Sequence, residues 1–211
     1  MTSHFFDPQE IVSTLGLLGV LGTLFVETGL LIGLVLPGDS LLFVAGIAAS
    51  GSALSAVGVQ LSLPLLLLFA PVAAFLGTQT GFLIGRRYGR ALFNRPDGKI
   101  FTAAKVHHAE EWLHKYGPFK AMMLGRFIPI VRTLMPPLYG MLNLSTKRFT
   151  LLNLVSSIIW TDGVLLLGYI LGERVKGSVD KYLLPLIGLV IVVSFIPIAI
   201  EIIKARKKDV K

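Results

Sequence analysis

Cysteine is absent from this 211-residue chain and charge is scarce, with 15% of residues Asp, Glu, Lys or Arg. The lack of cysteine excludes disulfides, thiolate nucleophiles, thiolate metal ligands and lipid thioesters, and leaves the redox compartment open. The scarcity of charge excludes an ordinary soluble domain, in which about a quarter of residues are charged. A further absence is local: no Lys or Arg precedes Arg86, although the chain carries twenty of them and a net charge of +8. The basic residues flank apolar runs, as membrane topology signals do, so the excess of positive charge does not point to nucleic acid.

What the chain has in abundance is hydrocarbon, with 54% hydrophobic residues and a mean hydropathy of +0.75. A spanning helix needs about 20 apolar residues, so there is room for roughly four to six apolar segments and one polar loop. The expected fold is an all-α, polytopic integral membrane protein. Its single membrane domain, 11–203, lies between a short N-terminal segment, 1–10, and a basic tail, 204–211. Asp7 and Glu10 stand where Lys or Arg would precede the core of a secretory signal, so the first apolar segment is expected to remain in the protein.

Along the domain, residues 11–50 are apolar apart from Glu27 and Asp39 and are broken at Pro37-Gly38; they fit two spans or a hairpin that enters and leaves by one face. A span is expected at 63–85, where Gly77, Gly81, Gly85 and Gly89 recur every fourth residue, a pattern for close helix packing. An interfacial loop, 86–118, contains an amphipathic stripe that reads as a surface helix at 102–116, with Tyr88, Trp112 and Tyr116 as interfacial aromatics. A broken segment follows at 119–142, then apolar runs at 149–171 and 183–203.

Positive charge selects among the topologies. The loop 86–120 has eight Lys and Arg and the tail has five. A single crossing by 119–142 would put them on opposite sides, against the positive-inside bias. If 119–142 is re-entrant, both are cytoplasmic. Together with the hairpin at 11–50 this gives two inverted re-entrant hairpins, an arrangement whose binding site lies where the broken segments meet.

Ionised side chains in hydrocarbon cost roughly 2.5–3.5 kcal/mol each and face a partner or a wet cavity. The apolar segments hold Glu27, Asp39, Arg126, Arg132 and Asp162. One reading is structural ion pairing. The other is that the arginines hold an anionic headgroup, because the guanidinium fork matches phosphate and stays charged, while the acids exchange protons.

Three stretches, FVETGLLIGLVLPGDSLLFVAG (25–46), LGTQTGFLIGRRYG (76–89) and LGRFIPIVRTLMPPLYGMLNLSTKRFTLLNLVSSIIW (124–160), resemble the signature blocks of the DedA family, bacterial relatives of the SNARE-associated or VTT-domain proteins. The resemblance covers most of residues 20–172. It implies a flippase in the bacterial inner membrane that moves undecaprenyl phosphate or a similar anionic lipid, linked to the proton motive force. By motif position Arg126 and Arg132 match the family's essential arginines, and Glu27 and Asp39 its essential acids. Thr78, Phe82, Tyr139 and Ser156 depart from the residues common at their places: many members have Asp at the first, and Gly rather than Ser at the last. Asp162 lies outside the pattern and, with Asn153, is an auxiliary candidate. The alternatives are a proton-coupled cation or drug exchanger, a flippase for a phospholipid such as phosphatidylethanolamine, and a non-transporting assembly factor.

Other features read more plainly. His107, Glu111 and His114 have helical spacing, but on an interfacial helix they read as solvated polar residues rather than a metal site. Asn153 and Trp160, seven apart, read as packing residues. Neither a nucleophile with its base nor a phosphate loop assembles among the intramembrane residues, so no enzyme, cofactor or metal is expected. The expected partners are the lipid phosphate, the bilayer and protons, with a homo-oligomer compatible with all of this and nucleic acid excluded.

Overall fold

The computed structural model describes residues 8–29, 38–52, 54, 57–93, 111, 113, 115–118, 120–123, 125–126, 129–142 and 144–174. Among them the regular elements are all helical: α1 (Pro8–Gly29), α2 (Gly38–Ala48), α3 (Leu63–Phe93), α4 (Pro129–Met141) and α5 (Thr146–Arg174). The interfacial helix expected at 102–116 falls largely outside these residues. The span expected at 183–203 and the tail 204–211 fall wholly outside them.

Local chemistry sets the helix limits. Pro8 and Pro64 sit in the first turns of α1 and α3, where a missing N–H costs nothing. At the start of α5, the Phe149 N–H donates to the Ser145 carbonyl at 2.9 Å. α1 is broken at Gly16, whose φ of 56° and ψ of −141° lie in a region that side-chain-bearing residues avoid.

α1, α3 and α5 are long and apolar enough to cross a bilayer. The 29 residues of α5 extend roughly 44 Å, past a hydrocarbon core of about 30 Å. The 13 residues of α4 reach only about 20 Å and the 11 of α2 about 17 Å. Leu68, Val72, Leu76 and Leu83 on α3, and Leu151, Ile159, Leu167 and Ile170 on α5, are exposed. Such apolar surface marks a lipid-facing wall. The protein is an all-α membrane protein.

The chain divides into two compact units, one from Met1–Thr23, Leu36–Ala70 and Thr161–Lys211, the other from Leu24–Val35 and Pro71–Trp160. In the first unit α2 lies against the C-terminal half of α5. A Cβ on Gly46 would strike the backbone of Leu165 and Tyr169, and one on Gly168 the Phe43 carbonyl. The contact continues beyond α2. The buried Ser52 hydroxyl donates to the Gly172 carbonyl at 2.7 Å, and the Gly51 N–H donates to the Glu173 carboxylate.

The second unit is built on an equally close approach of α3 and α4. A Cβ on Gly85 would meet the Pro137 backbone, and one on Gly140 the Phe82 carbonyl. The glycine face expected on α3 is therefore the face that packs. The Phe82 and Phe149 rings stack at 4.2 Å, and Tyr139 tilts against Phe149 at 5.6 Å. Val131, Leu134, Met135 and Leu138 complete this core. The Tyr139 hydroxyl donates to the Pro118 carbonyl at 2.6 Å.

Candidate functional site

Six candidate residues can be followed from the sequence into the second unit or away from it. Glu27, Arg126, Arg132 and Asn153 all belong to that unit and are buried, Glu27 to 1% exposure and Arg126 to 5%. Asp39, half-buried in the first turn of α2, and Asp162, half-buried in α5, belong to the other unit. Asp162 accepts a hydrogen bond from the Thr161 hydroxyl at 3.4 Å.

Arg126 occupies a turn just ahead of α4, which Pro129 opens. Its Nε donates to Ser156 Oγ at 2.9 Å, and its Nη2 to Asn153 Oδ1 at 2.9 Å and Ser157 Oγ at 2.8 Å. The guanidinium carbon lies 5.6 Å from the Trp160 ring centroid. Residues 153, 156, 157 and 160 are spaced i, i+3, i+4, i+7 and so share one face of α5. Every one of these partners is neutral.

Arg132 is held differently. One turn into α4, it donates from Nη2 to Glu27 Oε1 at 2.5 Å, an ion pair buried on both sides. Its guanidinium carbon also faces the Trp160 ring, at 5.5 Å. One indole thus meets two guanidinium groups, an attraction that strengthens when water is excluded. Four residues further on, Pro136 and Pro137 withhold the N–H groups that the carbonyls of Arg132 and Thr133 would ordinarily meet within the helix.

Among the described residues the buried charges of this unit do not balance. Its described buried charges are one carboxylate, Glu27, and two guanidiniums. Glu27 offsets Arg132, and Arg126 remains as an excess positive charge solvated by two hydroxyls, an amide oxygen and a ring. An unbalanced buried charge costs several kcal/mol. Beside it lies a cavity of about 20 Å³ lined by both arginines, Thr28, Thr78, Met122, Gly125, Met135 and Pro136. That volume takes a water molecule, so a larger headgroup needs the walls to part.

Sequence reasoning misses Ser157, and sees in Ser156 only a departure from the family pattern. Asn153 is there an auxiliary and packing residue, and Trp160 a packing residue. The signal was present as N-x-x-S-S-x-x-W, whose polar members fall at helical spacing within an apolar run, where each must find a partner.

Comparison with known proteins gives a consistent picture. The profile of the VTT domain matches residues 8–170. The chain is 37% identical to Protein DedA of Escherichia coli (strain K12) over 184 residues, covering 87% of this chain and 80% of that one. It is 37% identical to the uncharacterized membrane protein Rv0364 of Mycobacterium tuberculosis (strain ATCC 25618 / H37Rv), over 74% of this chain and 65% of that one. It is 35% identical to the inner membrane protein YqjA of Escherichia coli (strain K12), over 71% of this chain and 64% of that one. No solved structure matches the chain.

Proposed function

Because the chain belongs to the VTT-domain family of membrane proteins, to which DedA is akin, we propose that it is a flippase carrying an anionic lipid, undecaprenyl phosphate foremost, across the bacterial inner membrane. The observation that supports this most is Arg126: a guanidinium 5% exposed, whose hydrogen-bond partners among the described residues are neutral, beside a small cavity that it shares with Arg132. A site with an excess positive charge suits a phosphate and disfavours the cation of an exchanger.

Charge balance supplies a route to proton coupling. A phosphate monoester takes a second negative charge with a pKa of about 6, whereas a diester carries one charge. A dianion between Arg126 and Arg132 closes the balance only if Glu27 gives up its ion pair and takes a proton. Loading therefore binds a proton and release returns it, with Asp39 as a second carrier in the other unit. A diester neutralises Arg126 alone and leaves Glu27 on Arg132, so a phospholipid would move without that proton. In this proposal the short α2 and α4 are the inner limbs of re-entrant hairpins. The polyprenyl tail stays in lipid throughout, and the loop 86–120 and the basic C-terminus are cytoplasmic.

The test is flipping of a labelled polyprenyl phosphate by purified protein in liposomes, with phosphatidylethanolamine and a cationic dye as parallel cargoes. Arg126→Ala and Glu27→Ala are expected to abolish flipping of the monoester. Equal rates in wild type and both variants defeat the proposal, and dye movement without lipid movement replaces it with the exchanger.

A further inference from the structure

Arg126 is oriented by a hydrogen-bond network that leaves little freedom. The Asn153 amide nitrogen donates to the Phe75 carbonyl at 3.0 Å, which turns its oxygen toward the guanidinium; the opposite rotamer would set amide hydrogens against Nη2. The Ser157 hydroxyl donates to that same Asn153 Oδ1 at 3.3 Å, and the Ser156 hydroxyl to the Asn153 carbonyl at 3.1 Å. A guanidinium has donors and no acceptor, so both serines accept from Arg126, at Nε and Nη2, while their own protons go to Asn153. A glycine at 156 would supply no such acceptor. Among the described residues the hydrogen bonds of Arg126 use Nε and Nη2, and none uses Nη1.

Resting on the reading of this site as one for a lipid phosphate, we propose that Asn153, Ser156, Ser157 and Trp160 form a positioning device on α5. It aligns Arg126 so that its Nη1 edge meets a phosphate oxygen, and the shared indole links that event to Arg132. Trp160 stands within 5.6 Å of one guanidinium and 5.5 Å of the other, so a ligand that draws on either cation changes the surroundings of the ring. The device acts on how well the anion is held, and the transport step itself is left to the groups that touch it. Its components are neutral, which keeps the excess charge of Arg126 available; a carboxylate in place of either serine would cancel it.

Only Trp112 and Trp160 are tryptophans in this chain, so Trp112→Phe makes Trp160 the sole reporter. The single-tryptophan protein in detergent is titrated with inorganic phosphate and with geranylgeranyl phosphate, and flipping is measured in liposomes. Both probes are expected to change Trp160 fluorescence saturably, the prenyl phosphate at lower concentration. Ser156→Ala with Ser157→Ala is expected to raise the midpoint about tenfold, since each serine supplies a hydrogen bond to a charged group. The same pair is expected to raise KM for flipping with kcat nearly unchanged. Ser156→Thr with Ser157→Thr, which keeps both hydroxyls, restores the midpoint; a purely packing role would not distinguish the hydroxyl from the methyl. A wild-type response that the alanine pair leaves in place overturns the positioning role while the anion site stands. A response to inorganic phosphate that the prenyl chain does not improve supports the positioning and overturns the lipid reading. Silence toward both phosphates overturns both.

Discussion

Removing one member of the Glu27–Arg132 pair should cost far more than removing both. The two side chains are 0% and 7% exposed and joined at 2.5 Å, so solvent screening offers little relief when either is removed. Glu27→Leu removes the carboxylate that Arg132 meets at 2.5 Å and takes the described buried charge of the unit from +1 to +2, by the count of one carboxylate and two guanidiniums. Arg132→Met leaves a carboxylate without the cation it faces. Breaking a buried pair in this way costs about 3–5 kcal/mol, whereas exchanging both partners for apolar groups is about neutral or stabilising by 1–4 kcal/mol. For a chain of this length, the single losses correspond to Tm falling on the order of 6–20 °C. The assay is thermal unfolding of purified single and double variants in one detergent, with flipping measured in parallel. The double variant should recover most of the lost Tm and still transport nothing, separating the structural role of the pair from its functional one. Two single losses that simply add in the double variant would refute the reasoning, since they would show that the two groups do not depend on each other for their burial.

Three more outcomes follow from the packing. Gly140→Val places a branched side chain against the Phe82 carbonyl and should prevent α3 and α4 from closing, seen as loss of monodisperse protein on size-exclusion chromatography, while Gly163→Ala, where a Cβ meets open space, should be tolerated. Tyr139→Phe removes the donor to the Pro118 carbonyl and should lower stability by about 0.5–1.5 kcal/mol in denaturant titration. Ser52→Ala removes the donor to the buried Gly172 carbonyl and should speed amide hydrogen exchange around residues 50–52, leaving exchange in α4 unchanged.

The resemblance in the signature blocks and the five charged candidates were readable because each breaks a rule its surroundings obey: an arginine or glutamate in an apolar run is conspicuous, as is a proline pair in a helix. Ser157 was not conspicuous, and Ser156 stood out only against the family's glycine. Serine is tolerated in a membrane helix by bonding its own backbone, so its presence carries little information until a partner is seen. Likewise the glycine period of α3 announced close packing without naming the neighbour, and it took Pro137 and Gly140 on α4 to show what the missing side chains make room for.

Composition and spacing alone determined a membrane protein of helices, because a bilayer demands apolar length and internally satisfied backbone, and both are properties of a segment by itself. Which charge pairs with which is a property of two segments. Glu27 and Arg132 lie 105 residues apart, and Arg126 meets Ser156 across 30. Nothing in either stretch says that Arg132 is neutralised by an acid while Arg126 is held by neutral groups. Only the tertiary packing decided that, by bringing one carboxylate within reach of one arginine and a face of hydroxyls within reach of the other.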